Sequence, residues 1–489
     1  MIQKPTWWKP LVAAVLALPV LSTSTLAFQE GGDAGGEKKE EAKKDDKDKK
    51  PEDRWFAVLN GDIHTGTGEV LRGASLLAKN GKIEKIGYDL DLPKDTKTLD
   101  AKGYRVYPGL VAISSQGLMG NAASDFEDTI DPFNSRMVLA LATGITTTGT
   151  GGSAVKLKRF SVNDMVLSEK QFAIFSWSNR TPRGKSELRD KFKNSAEYLR
   201  QYREWERKVR DQKDLPEPSK KNVDNTCLAV LKGEQTAKFT ANDRDELLGI
   251  ARLAQEYGFR PLIEGAQEAW TIADELGRAG ARVILTPRDR NEKDEQQARE
   301  GGTSIENAAI LHRAGVQVAI VPSTEGVDLG GIAGRDIIHL PVEVGFAVRG
   351  GLPEKAALES ITIVPARMLG CANRVGSLEV GKDCDLIVTD GDLLHYQTFV
   401  QWAVVDGKQV YDKEKEFYYA QIRPRPAAEQ PKKLDKGESE PKPKEGEEAK
   451  KDGAGSDEKK DDAKKEGDGE KKDDEKKDGE KKDGEKKEG

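Results

Sequence analysis

Residues 282–285, Arg-Val-Ile-Leu, and residues 316–321, Val-Gln-Val-Ala-Ile-Val, determine the fold prediction together with the segment between them. Both are short apolar runs rich in β-branched residues, which is typical of buried strands. The segment 305–314 has helical character and stops at Gly315, a residue type that commonly follows a helix. A strand, a helix and a second strand in this order predict a βαβ unit with parallel strands.

The same alternation extends through the centre of the chain. Residues 109–113 and 144–148 are strand-like, and residues 246–257 are helical, with Asp243 as a plausible N-cap and Gly258 at the end. Repeated βα units over about 260 residues predict an α/β protein with a (β/α)8 TIM-like barrel. A doubly wound open sheet is the alternative topology, but no Gly-x-Gly-x-x-Gly follows a strand.

Short strands precede and follow this central region. Residues 55–107 and 378–421 both contain short apolar runs separated by tight-turn dipeptides, namely Asn60-Gly61, Asn80-Gly81 and Asp406-Gly407. Because the ends of a domain often lie close together, the two segments are predicted to share one sheet domain beside a barrel at 108–377. A charged insertion interrupts the barrel pattern, and its apolar residues recur at helical spacing: Leu188, Phe192, Leu199, Tyr202, Trp205 and Val209.

The two ends of the chain have different compositions from the centre. Residues 1–27 have a basic start, a short apolar run and small residues before Phe28, which predicts a cleaved export signal and an exported, periplasmic or extracellular protein. The apolar run is short for a bilayer span, so membrane attachment is expected only if that segment stays uncleaved. Residues 28–54 and 422–489 are rich in Lys, Glu, Asp and Gly, which predicts a disordered linker and tail.

Net charge and cysteine content give no support for nucleic-acid binding or for a cysteine-based disulfide or metal site. A net charge of −6 without a basic patch interleaved with aromatics gives no indication of nucleic-acid binding. The three cysteines, Cys227, Cys371 and Cys384, fit neither a disulfide framework nor a Cys-x-x-Cys metal site.

Several segments carry a family resemblance: residues 60–69, 79–83, 107–111 and 142–147, and most specifically residues 357–386 with Arg374-Val-Gly-Ser-Leu-Glu-Val-Gly-Lys-Asp383. Through them, residues 55–412 resemble the amidohydrolase superfamily, in its imidazolonepropionase-like secreted branch. The resemblance implies a (β/α)8 barrel flanked by a small β-sandwich that both ends of the globular region form. It also implies hydrolysis of C–N bonds other than peptide bonds, such as cyclic amides, with Zn or another divalent metal at the barrel mouth.

The ligand positions that the resemblance implies have lost their imidazoles. Ser114 and Gln116 replace the first His-x-His pair, and no lysine aligns at 172–175, where the carboxylated lysine belongs. The later metal-ligand positions of the family are also replaced, by Thr240, Asn242, Glu264 and Ser323. We therefore expect no bound metal cofactor, and the sequence identifies no catalytic residue.

The histidine count supports the same expectation. The chain has four histidines and no His-x-His; only His339, predicted in a loop, is expected near the barrel mouth, and the others are His64, His312 and His395. An all-oxygen Mg or Ca site would need carboxylates from the set Glu264, Glu268, Glu325, Asp328 and Asp336. A metal-free nucleophile is disfavoured because Ser114 and Ser323 lack a histidine partner and no Gly-x-Ser-x-Gly is present.

Three functions remain open from the sequence. The first is a catalytically inactive binding or assembly partner, paired with an active amidohydrolase paralogue or with copies of itself. The second is an active hydrolase with an atypical carboxylate metal site. The third is a small-solute-binding protein that uses the barrel pocket, because Ser, Thr, Asn and Gln would give that pocket a polar, uncharged floor.

Overall fold

The computed structural model describes residues 53–116, 131–210, 215–290, 298, 300–322, 327–328 and 335–416. The predicted export signal, the linker as far as residue 52, the tail at 422–489 and Ser323 lie outside these residues. Within them, no helix is both long and apolar enough to cross a membrane.

The described residues form strands and helices in alternation, so the α/β class is confirmed. The strands are β1 (Trp55–His64), β2 (Val70–Lys79), β3 (Lys82–Gly87), β4 (Lys97–Asp100), β5 (Arg105–Pro108), β6 (Leu110–Ala112), β7 (Ser115–Gln116), β8 (Ile145–Thr150), β9 (Ser153–Lys156), β10 (Val166–Ser168), β11 (Phe172–Phe175), β12 (Thr236–Ala241), β13 (Leu262–Gly265), β14 (Arg282–Leu285), β15 (Gln317–Ile320), β16 (Val327–Asp328), β17 (Leu386–Thr389), β18 (Val400–Val405) and β19 (Lys408–Asp412). The helices are α1 (Ser135–Ala142), α2 (Pro182–Val209), α3 (Asn225–Lys232), α4 (Arg244–Tyr257), α5 (Ala273–Arg278), α6 (Asn307–Arg313), α7 (Arg335–Arg349), α8 (Glu354–Glu359) and α9 (Ile363–Met368).

A five-stranded parallel sheet, in the order β11-β12-β13-β14-β15, forms the centre of the chain. Its side chains alternate in direction, as in any strand. On one face Leu262, Ile284 and Ala319 join a single apolar cluster. On the other face Phe239, Ile263 and Val283 pack into the larger core that includes helix residues.

A second sheet lies beside it in the order β10-β9-β8-β6, with β6 and β8 parallel and β9 antiparallel to both of its neighbours. The described strands thus fall in separate sheets and do not form one closed ring of eight. Backbone hydrogen bonds nevertheless join the two sheets through irregular segments on both sides. Gln171 N donates to Gly152 O (2.9 Å), and Val111 N donates to Ile361 O (2.9 Å).

Strands from both ends of the globular region meet in one eight-stranded sheet, in the order β19-β18-β17-β5-β1-β2-β3 with β4 paired to β1. The prediction that residues 55–107 and 378–421 share a sheet agrees with this pairing. The described residues show one mixed sheet here, however, and not two facing sheets of a sandwich. Strand β5 explains the joining, because it pairs with β1 on one side and with β17 on the other.

The turn predicted at Asn60-Gly61 is wrong, whereas the one at Asn80-Gly81 joins β2 to β3. Asn60 has a φ of 58°, the value that the dipeptide favours, but it lies inside β1. The register between β1 and β2 shifts from Val58 to Gly61, so the dipeptide forms a bulge. A side chain at Gly61 would lie 2.7 Å from Val106 Cγ2, which leaves no room for another residue type.

The charged insertion is helix α2, as its spacing predicts. Its buried residues include Leu188, Phe192 and Leu199, which lie on one side of the helix. Phe192 is fully buried and stacks on Phe259, with ring centroids 4.9 Å apart. The insertion is therefore packed against the end of α4.

A buried charge cluster connects β9 to the eight-stranded sheet. Lys156 is fully buried, and its Nζ lies 2.7 Å from Asp383 Oδ2 and 3.0 Å from Asp385 Oδ2. Asp406 Oδ1 lies 2.5 Å from the same ammonium. Burial alone would lower the pKa of Lys156, but the three carboxylates raise it above its usual range. Lys156 therefore remains charged inside the protein, because it is surrounded by its counter-ions.

Candidate functional site

The carboxyl ends of β12 and β13 bring two of the predicted site residues together. Thr240 pairs in register with Glu264, and the Thr240 hydroxyl donates to Glu264 Oε2 at 3.5 Å. Lys238 lies two residues before Thr240, so its side chain leaves the same face of the strand. This edge of the parallel sheet is where α/β proteins place their ligands.

Lys238 makes the strongest contact of the site. Its ammonium lies 3.0 Å from both carboxylate oxygens of Glu264, and each side chain is 17% exposed. Its Nζ also lies 5.9 Å from the centre of the Phe172 ring. Lys238 was not among the predicted site residues: its spacing from Thr240 places both on one face of the strand, but the register of β12 against β13 is what brings it to Glu264.

Asn242 lies just beyond the end of β12, with its side-chain oxygen buried. Among the described residues this oxygen has no hydrogen-bond partner. Gly265 follows with a φ of 95°, and a β-carbon there would lie 2.2 Å from Asn242 Oδ1. The glycine is therefore required for the amide to occupy this place, and the amide oxygen is available to a donor that the described residues do not supply.

The predicted residues of the first strand lie on separate elements. Ser114 is half-buried, and its neighbour Ser115 is the residue that hydrogen-bonds to Thr148 and, at 3.2 Å, to Gly149 O. Gln116 is described only through its backbone, which pairs with Asp328 in the short ladder of β7 and β16. Ser323 lies outside the described residues. Among the predicted positions whose side chains are described, Thr240 and Glu264 are the pair joined by a hydrogen bond.

The three histidines whose side chains are described, His64, His312 and His395, lie on separate elements. His64 stacks on Tyr107, with ring centroids 4.3 Å apart, and burial lowers its pKa. His395 stacks on Tyr396. The prediction that His339 lies in a loop is wrong, because the residue belongs to α7. Burial of Leu340, Val344 and Ala347 at helical spacing explains why that segment is a helix.

The carboxylates considered as alternative ligands have other partners. Glu268 is buried, and its two oxygens accept hydrogen bonds from Arg244 N (3.0 Å) and Gly302 N (2.7 Å). It thus binds the amino end of α4, where a negative charge is favourable. Glu325 and the side chains of Asp328 and Asp336 lie outside the part of the chain that the structure describes.

The residues described here do not fit a divalent cation of the kind the family resemblance implies. No group of three or more His, Cys, Asp or Glu side chains is arranged to hold a metal within the described ranges. Within the described residues, Glu264 is the carboxylate that contacts Thr240, and both of its oxygens already face the ammonium of Lys238. A cation placed beside Glu264 would meet the positive charge of Lys238 at close range.

Comparison with known proteins identifies one part of the chain. Residues 262–414 match the amidohydrolase family. "Amidohydrolase tasK" of Hapsidospora irregularis is 35% identical over 74 residues, which is 15% of this chain and 8% of that protein. An N-acetylglucosamine-6-phosphate deacetylase of Danio rerio is 38% identical over 68 residues, 14% of this chain and 16% of that protein. The chain therefore matches only a small part of the length of either relative.

Among solved structures, an amidohydrolase from Thermotoga maritima is similar, with a TM-score of 0.57 and 22% sequence identity. The match covers 73% of this chain and 100% of that one. This likeness shows the fold.

Proposed function

We propose that the whole globular region is an amidohydrolase-superfamily barrel of the imidazolonepropionase-like branch that acts by binding, not by metal-dependent hydrolysis. The family match over residues 262–414 and the likeness in fold support the scaffold. In this proposal, the hydrogen bonds from Gln171 to Gly152 and from Val111 to Ile361 complete the barrel. We further propose that the protein is exported.

The Lys238–Glu264 ion pair is the observation on which this function rests. In a metal-dependent hydrolase the cation acidifies a bound water, and its ligands must be free to bind it. Here the ammonium of Lys238 takes both oxygens of the carboxylate at the family position. The positive charge beside Glu264 belongs to the ammonium group of Lys238. Unlike a metal ion, an ammonium group has no vacant coordination position at which it could bind and acidify water.

An exposed strand residue next to the pair gives a position at which the proposed assembly role can be tested. Ile174 pairs in register with Lys238 and is 73% exposed, although it lies within a strand. A single exposed apolar side chain does not define a contact surface, so Ile174 serves here as the position at which assembly is tested. We propose that this edge contacts an active amidohydrolase paralogue or a second copy of the chain.

A small-solute site is the second candidate, and Asn242 favours it. Its buried side-chain oxygen lacks a partner among the described residues, beside the exposed Thr240. A neutral solute with an N–H donor would satisfy that oxygen.

Metal analysis and a hydrolysis assay test the proposal against the active alternative. The full chain is assayed with cyclic amides and N-acyl amino acids, with and without added Zn²⁺ or Mn²⁺. We expect substoichiometric metal and no turnover above the uncatalysed rate. Stoichiometric metal with turnover that Glu264→Gln abolishes, and that the exposed control Glu234→Gln retains, would overturn the proposal.

The assembly role has its own measurement. Light scattering gives the oligomeric state of the full chain and of Ile174→Asp, and mass spectrometry identifies chains that co-purify from the native source. We expect a dimer or a complex with an amidohydrolase paralogue that Ile174→Asp disrupts. A monomer without such a companion counts against assembly, and saturable binding of a neutral amide to that monomer would favour the solute site.

A further inference from the structure

Four arginines surround a pocket at the opposite edge of the central sheet. The pocket has a volume of about 860 Å³ and is bordered by Arg260, Arg278, Arg282 and Arg367. Arg282 is the first residue of β14, and Gln317, the first residue of β15, also lines the pocket. None of the described residues that line it is an aspartate or a glutamate. The pocket thus lies at the amino ends of the strands, away from Glu264.

Arg282 is the innermost of the four. It pairs in register with Leu262 and Gln317, and Leu262 belongs to the cluster on the inner face of the sheet. Its Nη2 lies 3.5 Å from the Thr236 hydroxyl. Burial and the nearby charge of Arg260 lower its pKa. A guanidinium in this position is partly dehydrated and lies beside another positive charge.

The other three arginines are exposed and have little compensation. Arg278 is 3.6 Å from Glu275, and both are largely in solvent, so this pair contributes little. Within the described part of the chain, Arg260 and Arg367 make no ion pair. The Arg260 side chain lies along Gly280, whose β-carbon position is 3.3 Å from Arg260 Cγ. That packing holds its guanidinium on the pocket side.

Like charges gathered in this way repel one another unless an anion joins them. The protein as a whole is acidic, with a net charge of −6, so the cluster is a local departure from its composition. Guanidinium groups bind phosphate oxygens with paired hydrogen bonds, whereas an ammonium acts as a point charge. The pocket is larger than one phosphate requires and contains four such groups.

We propose that this pocket binds a soluble molecule that carries at least two phosphate groups. The site is independent of the Lys238–Glu264 edge and of the function proposed for it. Arg260 and Arg367 contact the ligand from the rim, and Arg282 contacts it from below. A ligand bound here would contact the amino ends of β14 and β15, and so stabilise the central sheet against unfolding.

Calorimetric titration of the full chain with inorganic pyrophosphate tests the proposal. We expect saturable binding with one site per chain, and an affinity roughly tenfold or more lower in the double variant Arg260→Gln/Arg367→Gln. Both residues are exposed, so the variant should remain folded. The matched control is Arg313→Gln, which removes an exposed arginine of α6 outside the pocket and should bind as the natural chain does.

Three results of the titrations would overturn the proposal. They are no binding of pyrophosphate, an equal loss of affinity in Arg313→Gln, and equal affinity for citrate, which carries multiple charges but no phosphate. Flotation with vesicles that contain phosphatidic acid separates the sources of phosphate. Vesicle binding that pyrophosphate fails to displace would contradict a soluble ligand in this pocket.

Discussion

Replacement of Lys156 by methionine tests whether the buried charge cluster holds β9 to the eight-stranded sheet. Lys156 is fully buried, and Asp383 and Asp385 beside it are each 3% exposed. Methionine fills a similar space without the charge. Asp383 keeps two other cations, Lys82 at 2.8 Å and Arg374 at 2.7 Å. Asp385 would lose the one cation recorded beside it in the described structure.

The magnitude follows from leaving one buried carboxylate without its counter-ion. Removal of one partner from a buried ion pair typically lowers the free energy of unfolding by about 3–5 kcal/mol. Burial already raises the pKa of Asp385. Without Lys156 that pKa rises further, so protonation relieves the unpaired charge. The loss of stability in Lys156→Met should therefore be largest near neutral pH and should shrink as the pH falls.

Urea denaturation followed by tryptophan fluorescence measures the change. The matched control is Lys232→Met, which removes an exposed lysine 3.6 Å from Glu234 and should leave the midpoint unchanged. The double variant Lys156→Met/Asp385→Asn should be more stable than the sum of the single changes predicts, by about 1 kcal/mol or more. A loss below about 1 kcal/mol in Lys156→Met, or full additivity in the double variant, would show that the charge cluster does not hold β9 to the sheet.

Three further perturbations have expected outcomes. Although burial opposes it, Lys156 and Lys82 lower the pKa of Asp383 to about 2, below the usual value near 3.9. Asp383 therefore contributes roughly 2 kcal/mol to the free energy of unfolding above pH ~4, and this contribution is lost as the pH falls toward 2. In Asp383→Asn, the midpoint of unfolding should depend less on pH over that range. Phe192→Ala should lower the free energy of unfolding by about 3–5 kcal/mol in urea titrations, because it leaves a cavity where the buried Phe192 ring packs α2 against Phe259. A change under about 1 kcal/mol would contradict that packing. Gly265→Ala combines a positive φ with a 2.2 Å approach to Asn242, so it should lower the thermal midpoint, whereas Gly233→Ala, with a positive φ but open space, should lower it less.

Much of the fold could be predicted from the sequence where local signals and tertiary packing agree. The strand predicted at 282–285 is β14 to the residue, and α4 has Asp243 at its start and Gly258 in the left-handed conformation at its end. The Asn60-Gly61 prediction failed for a physical reason. The dipeptide indicates a positive φ, but pairing of β1 with β2 on both sides of it kept the strand continuous.

The candidate site could be predicted only in part. Thr240 and Glu264 were identified and are in contact, because parallel strands place residues of equal register side by side. Lys238 was missed because a lysine in a charged sequence usually indicates a solvated surface. Its inward direction depends on the register of β12 against β13, which no local pattern specifies.

Under the proposed function, Lys238 takes the place that a divalent cation occupies in a metal-dependent hydrolase. A carboxylate on the inner face of a sheet is unfavourable unless a cation lies beside it. In a metal enzyme the divalent ion supplies that charge, and loss of the imidazole ligands would leave the carboxylate unpaired. In this chain the ammonium of the neighbouring strand supplies it at 3.0 Å. Under the proposed function, Lys238 balances Glu264 where a metal-dependent hydrolase would use its cation, so imidazoles that hold a metal are not needed to pair this carboxylate.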